Sequence, residues 1–300
     1  MSILILGSPE DDHASHLHQR LNDRGVANYY LDTRWFPSRI SVSWSPKTGG
    51  GLLNLGEIKL PLATIQSVFW RSFLGVQMPH LPDGQQAFVA EQDAISLLRS
   101  ILQVETIHWV NSWVAYQYHK EKPRQLRAVH ELGVEIPATL VSNDPIAVQT
   151  FAAAYEQVIF KPVYGGAHTQ TLTSEHLHPD RLARVLKIAP ATFQEYIPGT
   201  NVRSYVIGEQ VYSAEVRSPQ VDFREDEQAE ILPMEISASM QAQCRAIAHC
   251  LMLEWTAIDW RVTPSGQFFF LEANPSPMFI YFEQKTGFPI TQDLIELLVQ

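Results

Sequence analysis

Short apolar runs separated by polar, amphipathic stretches organise the first third of the chain. Ile3–Leu6 and Ala27–Leu31 have the length and composition of buried strands, and the polar stretch between them, which ends at Gly25, predicts a helix. Ile40–Ser45 and Leu52–Leu55 flank a glycine-rich turn and predict a β-hairpin. Further elements are predicted at Ser67–Trp70, 85–103 and Ile107–Val110. The pattern predicts an α/β domain over residues 1–112, and no GxGxxG follows its first strand to indicate a dinucleotide site.

A second unit is expected over residues 113–192. Its first helix is predicted to contain Lys120 and Lys122, with Pro123 in the first turn. Val158–Pro162 predicts a strand that runs into a loop with two adjacent glycines. Helical and extended stretches mix within this unit, which is typical of an α+β arrangement.

Two hairpin signals dominate the last unit, residues 193–300. Asn201–Ile207 and Val211–Val216 alternate around a short turn that contains glycine. Ala257–Thr263 and Gln267–Glu272 form the second pair around another such turn. The chain is therefore predicted to fold as one α/β domain followed by two α+β subdomains.

Composition narrows the function classes. With 22 Lys and Arg against 32 Asp and Glu, the net charge is −10, which argues against a broad nucleic-acid surface and therefore against a nucleic-acid partner. Cys244 and Cys250 stand six apart, so on a helix they point to different faces and are not placed to bridge. Unpaired cysteines, no basic leader and no run of about 20 apolar residues predict a cytoplasmic protein without a membrane partner.

The segment FFFLEANPSP, residues 268–277, ends an apolar strand with oxygen-bearing side chains. Glu272 and Asn274 are two apart, so both project to one face of the strand, and Asp259 lies on the partner strand of the predicted hairpin. Two carboxylates and an amide oxygen suit Mg²⁺. Taken alone, such a pair is more often a strand-end polar pair, but the predicted full burial of the preceding strand favours a ligand site.

Basic residues and a glycine loop form the second group. Lys161 ends a buried strand beside Gly165 and Gly166, where a lysine charge and backbone N–H groups suit phosphate binding. A snorkelling strand-end lysine is the alternative, and Lys122 alone has the pattern of a solvated helix lysine. Among the arginines, Arg203 and Arg224 suit carboxylate or phosphate groups, although a surface ion pair explains any single arginine as well.

Taken in order, these features resemble the ATP-grasp superfamily. The resemblance rests on EKPRQLRAVHELGVEIPAT, VIFKPVYGGAHTQTL, FQEYIPGTNVRSYVIGEQVYSAEV and AIDWRVTPSGQFFFLEANPSP, which together extend from about Trp109 to Pro289. It implies a Rossmann-like pre-grasp domain and two α+β subdomains that clasp ATP. Within the superfamily, the chain is similar to the ribosomal-protein glutamate ligases and to the peptide-maturase (graspetide) ligases, the latter through VFWR, VDFRED and FEQKTGFPI.

The resemblance also implies roles by position. It implies ATP and two Mg²⁺ ions as cofactors, with the ions on Asp259, Glu272 and Asn274. Arg203 and Arg224 match arginines near the reacting phosphate or carboxylate. The nucleotide-binding residues it implies are Lys122, Lys161, Gly165, Gly166, Gln194, Glu195, Tyr196, Ile197 and Asn201. Of these, Asn201 departs from the acidic residue that relatives have near the ribose, and Ser276–Phe279 is bulky where relatives often have glycine.

Three functions stay open at this point. The first is a carboxylate–amine ligase that forms an amide through an acyl phosphate and releases ADP, with amino-acid or peptide carboxylates and amines as partners. The second is a maturase that forms intramolecular esters or amides in a precursor peptide. The third is a non-catalytic ATP-binding protein. The oligomeric state is also open, with a homo-oligomer as one alternative.

Overall fold

Both α-helices and β-strands occur in every part of the chain. The computed structural model describes residues 1–164, 168–218 and 229–300. The strands are β1 (Ser2–Leu6), β2 (Asn28–Leu31), β3 (Ser41–Trp44), β4 (Gly51–Leu55), β5 (Ile58–Pro61), β6 (Ile65–Trp70), β7 (His108–Val110), β8 (Thr139–Ser142), β9 (Val158–Pro162), β10 (Gln170–Thr171), β11 (Ala191–Glu195), β12 (Thr200–Ile207), β13 (Gln210–Arg217), β14 (Glu230–Met234), β15 (Trp255–Val262) and β16 (Phe268–Asn274). The helices are α1 (Asp12–Asp23), α2 (Gly84–Ile101), α3 (Trp113–His119), α4 (Lys122–Glu131), α5 (Pro145–Ala153), α6 (Pro179–Leu186), α7 (Ala238–Cys250), α8 (Ile280–Thr286) and α9 (Ile290–Val299).

The chain divides into two units. The first comprises Met1–Tyr116, Met252–Trp255 and Ser276–Gln300. The second comprises Gln117–Leu251 and Thr256–Pro275. The last two helices, α8 and α9, therefore belong to the first unit, together with β1.

A parallel sheet in the order β2-β1-β6-β7 forms the centre of the first unit. All five residues of β1 are buried, as its continuous apolar run predicts. Asp11 caps α1 by accepting a hydrogen bond from the backbone N–H of Ala14. Helix α9 returns to this sheet, where Ser67 Oγ donates to the carbonyl of Leu298 at 2.6 Å. The predicted α/β arrangement is confirmed.

A small antiparallel sheet, β3-β4-β5, also belongs to the first unit. The predicted hairpin is confirmed, with Val42 opposite Leu53. The sequence did not predict β5, which adds a third strand through the pairing of Leu53 with Leu60. Its short run contains a lysine and a proline, so the alternation signal is weak.

Two antiparallel sheets form the second unit. One has the order β10-β9-β11-β8 and packs against α5 and α6 through Val148, Val158, Leu182 and Phe193. The other has the order β14-β13-β12-β15-β16 and contacts α4 and α7. Both predicted hairpins are confirmed, since β12 pairs with β13 and β15 pairs with β16.

The helix predicted around Lys120 and Lys122 is divided in the structure. Helix α3 ends at His119, and α4 begins at Lys122. Pro123 explains the new start, because proline lacks an N–H to continue a preceding helix but fits the first turn of the next one. Lys122 is thus the first residue of α4 and does not lie in the interior of a longer helix.

No helix in the described ranges has the length and apolar character needed to cross a bilayer. Cys244 and Cys250, which the sequence predicted to be unpaired, are both free.

Met252 follows α7 in a left-handed backbone conformation, with a φ of 60°. After α8 the left-handed residue is a glycine, Gly287, with a φ of 70° and no atom within 4 Å of the place that a Cβ would occupy. We expect Met252→Gly to raise the free energy of unfolding by about 0.5–1 kcal/mol, because glycine adopts this conformation without the Cβ penalty. We expect Gly287→Ala to lower it by about 1 kcal/mol. Urea unfolding measures both, and a destabilised Met252→Gly would contradict the strain at this position.

Candidate active site

The β15–β16 hairpin brings the predicted metal-ligating residues together. Asp259 lies directly opposite Glu272, and Asn274, two residues further along β16, lies opposite Ala257. Cross-strand neighbours on one face of an antiparallel pair have Cβ atoms about 5 Å apart. The two carboxylates and the Asn274 amide therefore form one oxygen-rich surface at the end of the hairpin.

The strand that carries Glu272 differs from its prediction in one respect. Full burial was expected for it, but only Phe270 and Ala273 are buried and the other residues of β16 are half-buried. The expectation was wrong because β16 is the edge strand of its sheet. Edge placement leaves the side chain of Glu272 accessible to a ligand.

A buried arginine binds Asp259. Arg203, on the neighbouring strand β12, donates from Nε to Oδ1 at 2.7 Å and from Nη2 to Oδ2 at 2.8 Å, and Asp259 is 6% exposed. Burial opposes the charge on Arg203, but the attraction and hydrogen bonds of Asp259 outweigh it, so the pKa of the guanidinium is raised. The Arg203 guanidinium therefore keeps its positive charge beside Asp259.

Lys122 lies at the other carboxylate. Its Nζ donates to Glu272 Oε2 at 2.5 Å, and both side chains are largely but not fully shielded from solvent. The structure thus places Lys122, Arg203, Asp259 and Glu272 in one cluster, although the sequence had assigned them to three roles: phosphate binding, catalysis and metal binding. In this cluster Glu272 pairs with Lys122, and Asp259 pairs with Arg203.

Lys161 and the predicted hinge meet in the other sheet of the second unit. Lys161 Nζ donates to Gln194 Oε1 at 3.3 Å, and the buried Gln194 donates from Nε2 to Thr139 Oγ1 at 2.9 Å. Two hinge N–H groups are already used, since Glu195 donates to the carbonyl of Ala138 and Tyr196 to that of Gln157. Hydrogen bonding of an adenine edge at the hinge would therefore need other backbone groups.

Arg261 is a site residue that the sequence analysis missed. Its guanidinium donates to the Ile197 carbonyl at 2.8 Å, to Asn201 Oδ1 at 3.0 Å and to the Tyr196 hydroxyl at 2.8 Å. It thereby links the hinge to Asn201. A signal was present, because Arg261 is two residues from Asp259 in an alternating strand and so lies on the same face.

The cavity beside Asn201 has a volume of about 410 Å³ and is lined in part by Gly199, Glu215 and Arg217. Gly199 has a φ of 152°, and a Cβ there would lie 1.9 Å from the carbonyl oxygen of Val262. Only glycine therefore permits the chain leaving the hinge to pass this close to β15.

His119 is a second neighbour of the cluster that the sequence did not indicate. Burial, and after it the charge of Lys122, lower its pKa to about 4, so the imidazole is neutral near pH 7. Its Nδ1 lies 3.4 Å from Gln125 Nε2. A neutral ring next to Lys122 adds no positive charge to the cluster.

The loop after Asn274 is anchored in the first unit. Arg71 donates from Nη1 to the carbonyl and Oγ of Ser276, at 2.8 and 2.9 Å, and from Nε to Asp11 at 2.9 Å. Met278 is 68% exposed, whereas Phe279 is fully buried against His13. Of the bulky residues in this loop, Met278 rather than Phe279 faces solvent.

Three of the predicted site residues, Gly165, Gly166 and Arg224, lie outside the described residues, as does the VDFRED segment. Among the residues that are described, no group of three or more His, Cys, Asp and Glu side chains is placed to hold a metal ion. The candidate metal site therefore consists of two carboxylates and the Asn274 amide.

Comparison with known proteins identifies this architecture as that of an ATP-grasp enzyme. The ATP-grasp ligase PsnB complexed with a minimal precursor is 32% identical, covers 99% of this chain and 98% of its own, and has a TM-score of 0.85. PsnB complexed with a phosphomimetic variant of the minimal precursor, Mg and ADP is 30% identical, with coverages of 100% and 98% and a TM-score of 0.84. The macrocyclase MdnC from Microcystis aeruginosa MRC, bound with its precursor peptide MdnA, is 28% identical over 100% of both chains, with a TM-score of 0.87.

The chain belongs to the ATP-grasp ligases. The predicted ATP-grasp fold is confirmed, and so is the prediction that the protein is an ATP-dependent ligase. The Mg and ADP in the PsnB complex support the expectation of ATP and Mg²⁺ as cofactors. No protein-family model matches the sequence, and no curated protein matches it.

Proposed function

We propose that this ligase modifies a precursor peptide, joining a carboxylate of the peptide to a hydroxyl or amine of the same peptide. The observation that carries the proposal is full-length similarity, at 30% identity or more, to a ligase that was complexed with its precursor. Of the functions that the sequence left open, this similarity favours the second, the peptide maturase, over a ligase that acts on free amino acids.

The chemistry follows from the charges. A carboxylate oxygen of the peptide attacks the γ-phosphorus of ATP, and ADP leaves with the electrons of the broken P–O bond. The hydroxyl or amine then attacks the acyl carbon, loses its proton, and phosphate departs with the former carboxylate oxygen. Because each step joins or separates negative groups, the protein contributes mainly by positioning the reactants and balancing their charge.

Asp259, Glu272 and Asn274 fit Mg²⁺, since all three offer hard oxygen atoms on one face of the hairpin. When bound there, Mg²⁺ supplies positive charge to the phosphates of the nucleotide. Lys122 and Arg203 are ion-paired to two of these three residues, which supports a role for both cations beside a phosphate held at this site. We assign Lys122 to phosphate binding, and Arg203 together with Arg224 to the reacting phosphate or carboxylate.

The nucleotide base and ribose are assigned to the hinge. Gln194, Glu195, Tyr196 and Ile197 follow β11, and Arg261 fixes the last two together with Asn201. Lys161 hydrogen-bonds to Gln194, so its charge lies beside the same strand. Gly165 and Gly166, which follow Lys161 in the sequence, complete the proposed phosphate contacts.

We also propose that the chain works as three functional parts, 1–112, 113–192 and 193–300. The sheet β2-β1-β6-β7 lies in the first part, and the five-stranded sheet lies in the third. Strand β11, Ala191–Glu195, spans the boundary between the second and third parts. That position suits a hinge, since the strand ends where the nucleotide is proposed to bind.

An ADP-release screen tests the substrate class. Amino acids, dipeptides and Asp- or Glu-rich peptides carrying Thr, Ser or Lys are each incubated with the enzyme, ATP and Mg²⁺. We expect ADP release to rise above the substrate-free rate only with the longer peptides. Equal stimulation by a free amino acid would instead support a small-molecule carboxylate–amine ligase, and no stimulation by any of the peptides would contradict the proposed peptide substrate.

Arg71 is expected to act on peptide binding and not on ATP binding. The loop Ser276–Phe279, which carries the exposed Met278, is proposed to border the acceptor part of the peptide. Arg71→Lys shortens the reach to Ser276 and so releases this loop. We expect the KM for the peptide to rise by about tenfold, while the KM for ATP changes by less than about twofold. Arg20→Lys serves as the control, since Arg20 makes an exposed ion pair with Asp23 in the same unit. A parallel rise in both KM values for Arg71→Lys would contradict this role.

A further inference from the structure

Strand β16, which carries two of the proposed cation ligands, lies at the edge of its sheet, and in the part of the chain that the structure describes it pairs with β15 alone. The N–H and C=O groups that point away from β15 need partners from elsewhere, because buried backbone polar groups are almost always hydrogen-bonded. Ala273 is the critical residue, since it is fully buried and lies between Glu272 and Asn274.

The side chain of Gln125 satisfies both outward groups of Ala273. The Ala273 N–H donates to Gln125 Oε1 at 2.9 Å, and Gln125 Nε2 donates to the Ala273 carbonyl at 3.0 Å. Gln125 is 1% exposed, so neither bond competes with water. At Ala273, the Gln125 side-chain amide thus makes the two hydrogen bonds that a neighbouring strand would make.

Helix α4 delivers this amide together with Lys122. The two residues are three apart in the helix and therefore share one face. Lys122 contacts the Glu272 carboxylate, and Gln125 holds the main chain one residue further along. Helix α4 consequently contacts β16 at two adjacent residues, Glu272 and Ala273.

We propose that Gln125 is a positioning residue that fixes the main chain between Glu272 and Asn274 and so sets the spacing of these two cation ligands. The proposal rests on the proposed function, which assigns both residues to Mg²⁺. A rotation of the Ala273 peptide groups would swing both neighbouring side chains, whereas metal sites need their ligands held to within about 0.5 Å.

A purely structural role predicts a different outcome, and the chain contains a matched control. Asn111, 2% exposed, also holds backbone through its amide. It accepts from the N–H groups of Glu254 and Trp255 at 2.8 and 3.2 Å, and donates to the Trp255 carbonyl at 2.7 Å. It therefore holds main chain as Gln125 does, but at residues that are not proposed ligands.

The test compares Gln125→Met with Asn111→Leu in the full-length protein. Mn²⁺ replaces Mg²⁺ as an electron paramagnetic resonance probe, and its Kd is measured with a non-hydrolysable ATP analogue present. We expect Gln125→Met to weaken Mn²⁺ binding by about 10–100-fold, as loss of a supporting contact does in other metal sites. Asn111→Leu should lose comparable stability in urea and keep its Mn²⁺ Kd within about twofold of wild type.

Hydrogen exchange supplies the second readout. The Ala273 amide is expected to exchange faster in Gln125→Met and to stay protected in Asn111→Leu. Should Gln125→Met not fold, Gln125→Asn keeps the amide on an arm one methylene too short, and it should weaken Mn²⁺ binding as well. Wild-type Mn²⁺ affinity in a Gln125 variant, or an equal loss in Asn111→Leu, would overturn the proposal.

A third variant separates this proposal from the proposed function. If Glu272→Ala keeps the wild-type Mn²⁺ affinity, the ligand assignment is wrong and the role of Gln125 falls with it. If Glu272→Ala loses the ion while Gln125→Met binds it normally, the ligand assignment stands and the positioning role alone is wrong.

Discussion

Replacing Glu272 with alanine is expected to lower ADP release by about 10³-fold or more, the loss that removal of a central electrostatic group causes, while the protein stays folded. Glu272 is half-buried and its partner Lys122 is 23% exposed, so the lysine left behind can reach water. Loss of such a partly exposed pair costs about 1 kcal/mol or less. Activity and stability are therefore expected to separate at this residue.

A coupled enzyme assay for ADP measures the activity, and urea unfolding of the same preparation measures the stability. Glu131→Ala is the matched control, because it removes an exposed ion pair with Arg127 from α4, the helix that carries Lys122. We expect the control to retain both activity and stability. Near-wild-type ADP release by Glu272→Ala would exclude Glu272 as a metal ligand.

Replacing Asp259 with asparagine is expected to remove both activity and stability. Asp259 is 6% exposed and receives two hydrogen bonds from Arg203. Breaking a buried pair from one side leaves an uncompensated charge, which typically costs 3–5 kcal/mol, and we expect a loss of about that size. The same charge change at Glu272 should cost far less, although the two carboxylates face each other across one hairpin.

A double variant distinguishes the two roles of Asp259. Asp259→Leu with Arg203→Met removes both charges and fills similar space, and apolar replacement of a buried ion pair is often neutral or stabilising. We expect the double variant to regain most of the stability that Asp259→Asn loses and none of the activity. If it regained activity, neither residue would belong to the catalytic machinery.

The sequence predicted this site as far as local pattern allows. The hairpin predicted around its glycine-containing turn placed Asp259 on the partner strand of Glu272, and the pairing of β15 with β16 confirms it, although a register shift after Asp259 brings the two residues opposite each other. Alternation decides which face a side chain takes, and it does so within a few residues. The same reasoning would have found Arg261, since it shares a face with Asp259.

The cations at the site could not be predicted from the same pattern. The Lys122–Glu272 pair joins residues 150 apart, and the Arg203–Asp259 pair joins residues 56 apart. Hydrophobic periodicity predicts α4 and β12, but it does not predict which strand α4 packs against or which strand β12 pairs with. The edge position of β16 has the same origin, because strand order depends on long-range pairing. For this reason the predicted full burial of Phe268–Leu271 was wrong.

Whether this ligase modifies a precursor peptide can be tested by measuring ADP release and the mass of the peptide product together. A peptide that stimulates ADP release is incubated with the enzyme, ATP and Mg²⁺, and its intact mass is followed as ADP accumulates. We expect the peptide to lose the mass of one water molecule for each ADP released, because each ester or amide forms within the peptide. ADP release with an unchanged peptide mass, or a mass gain from an added amino acid, would contradict it.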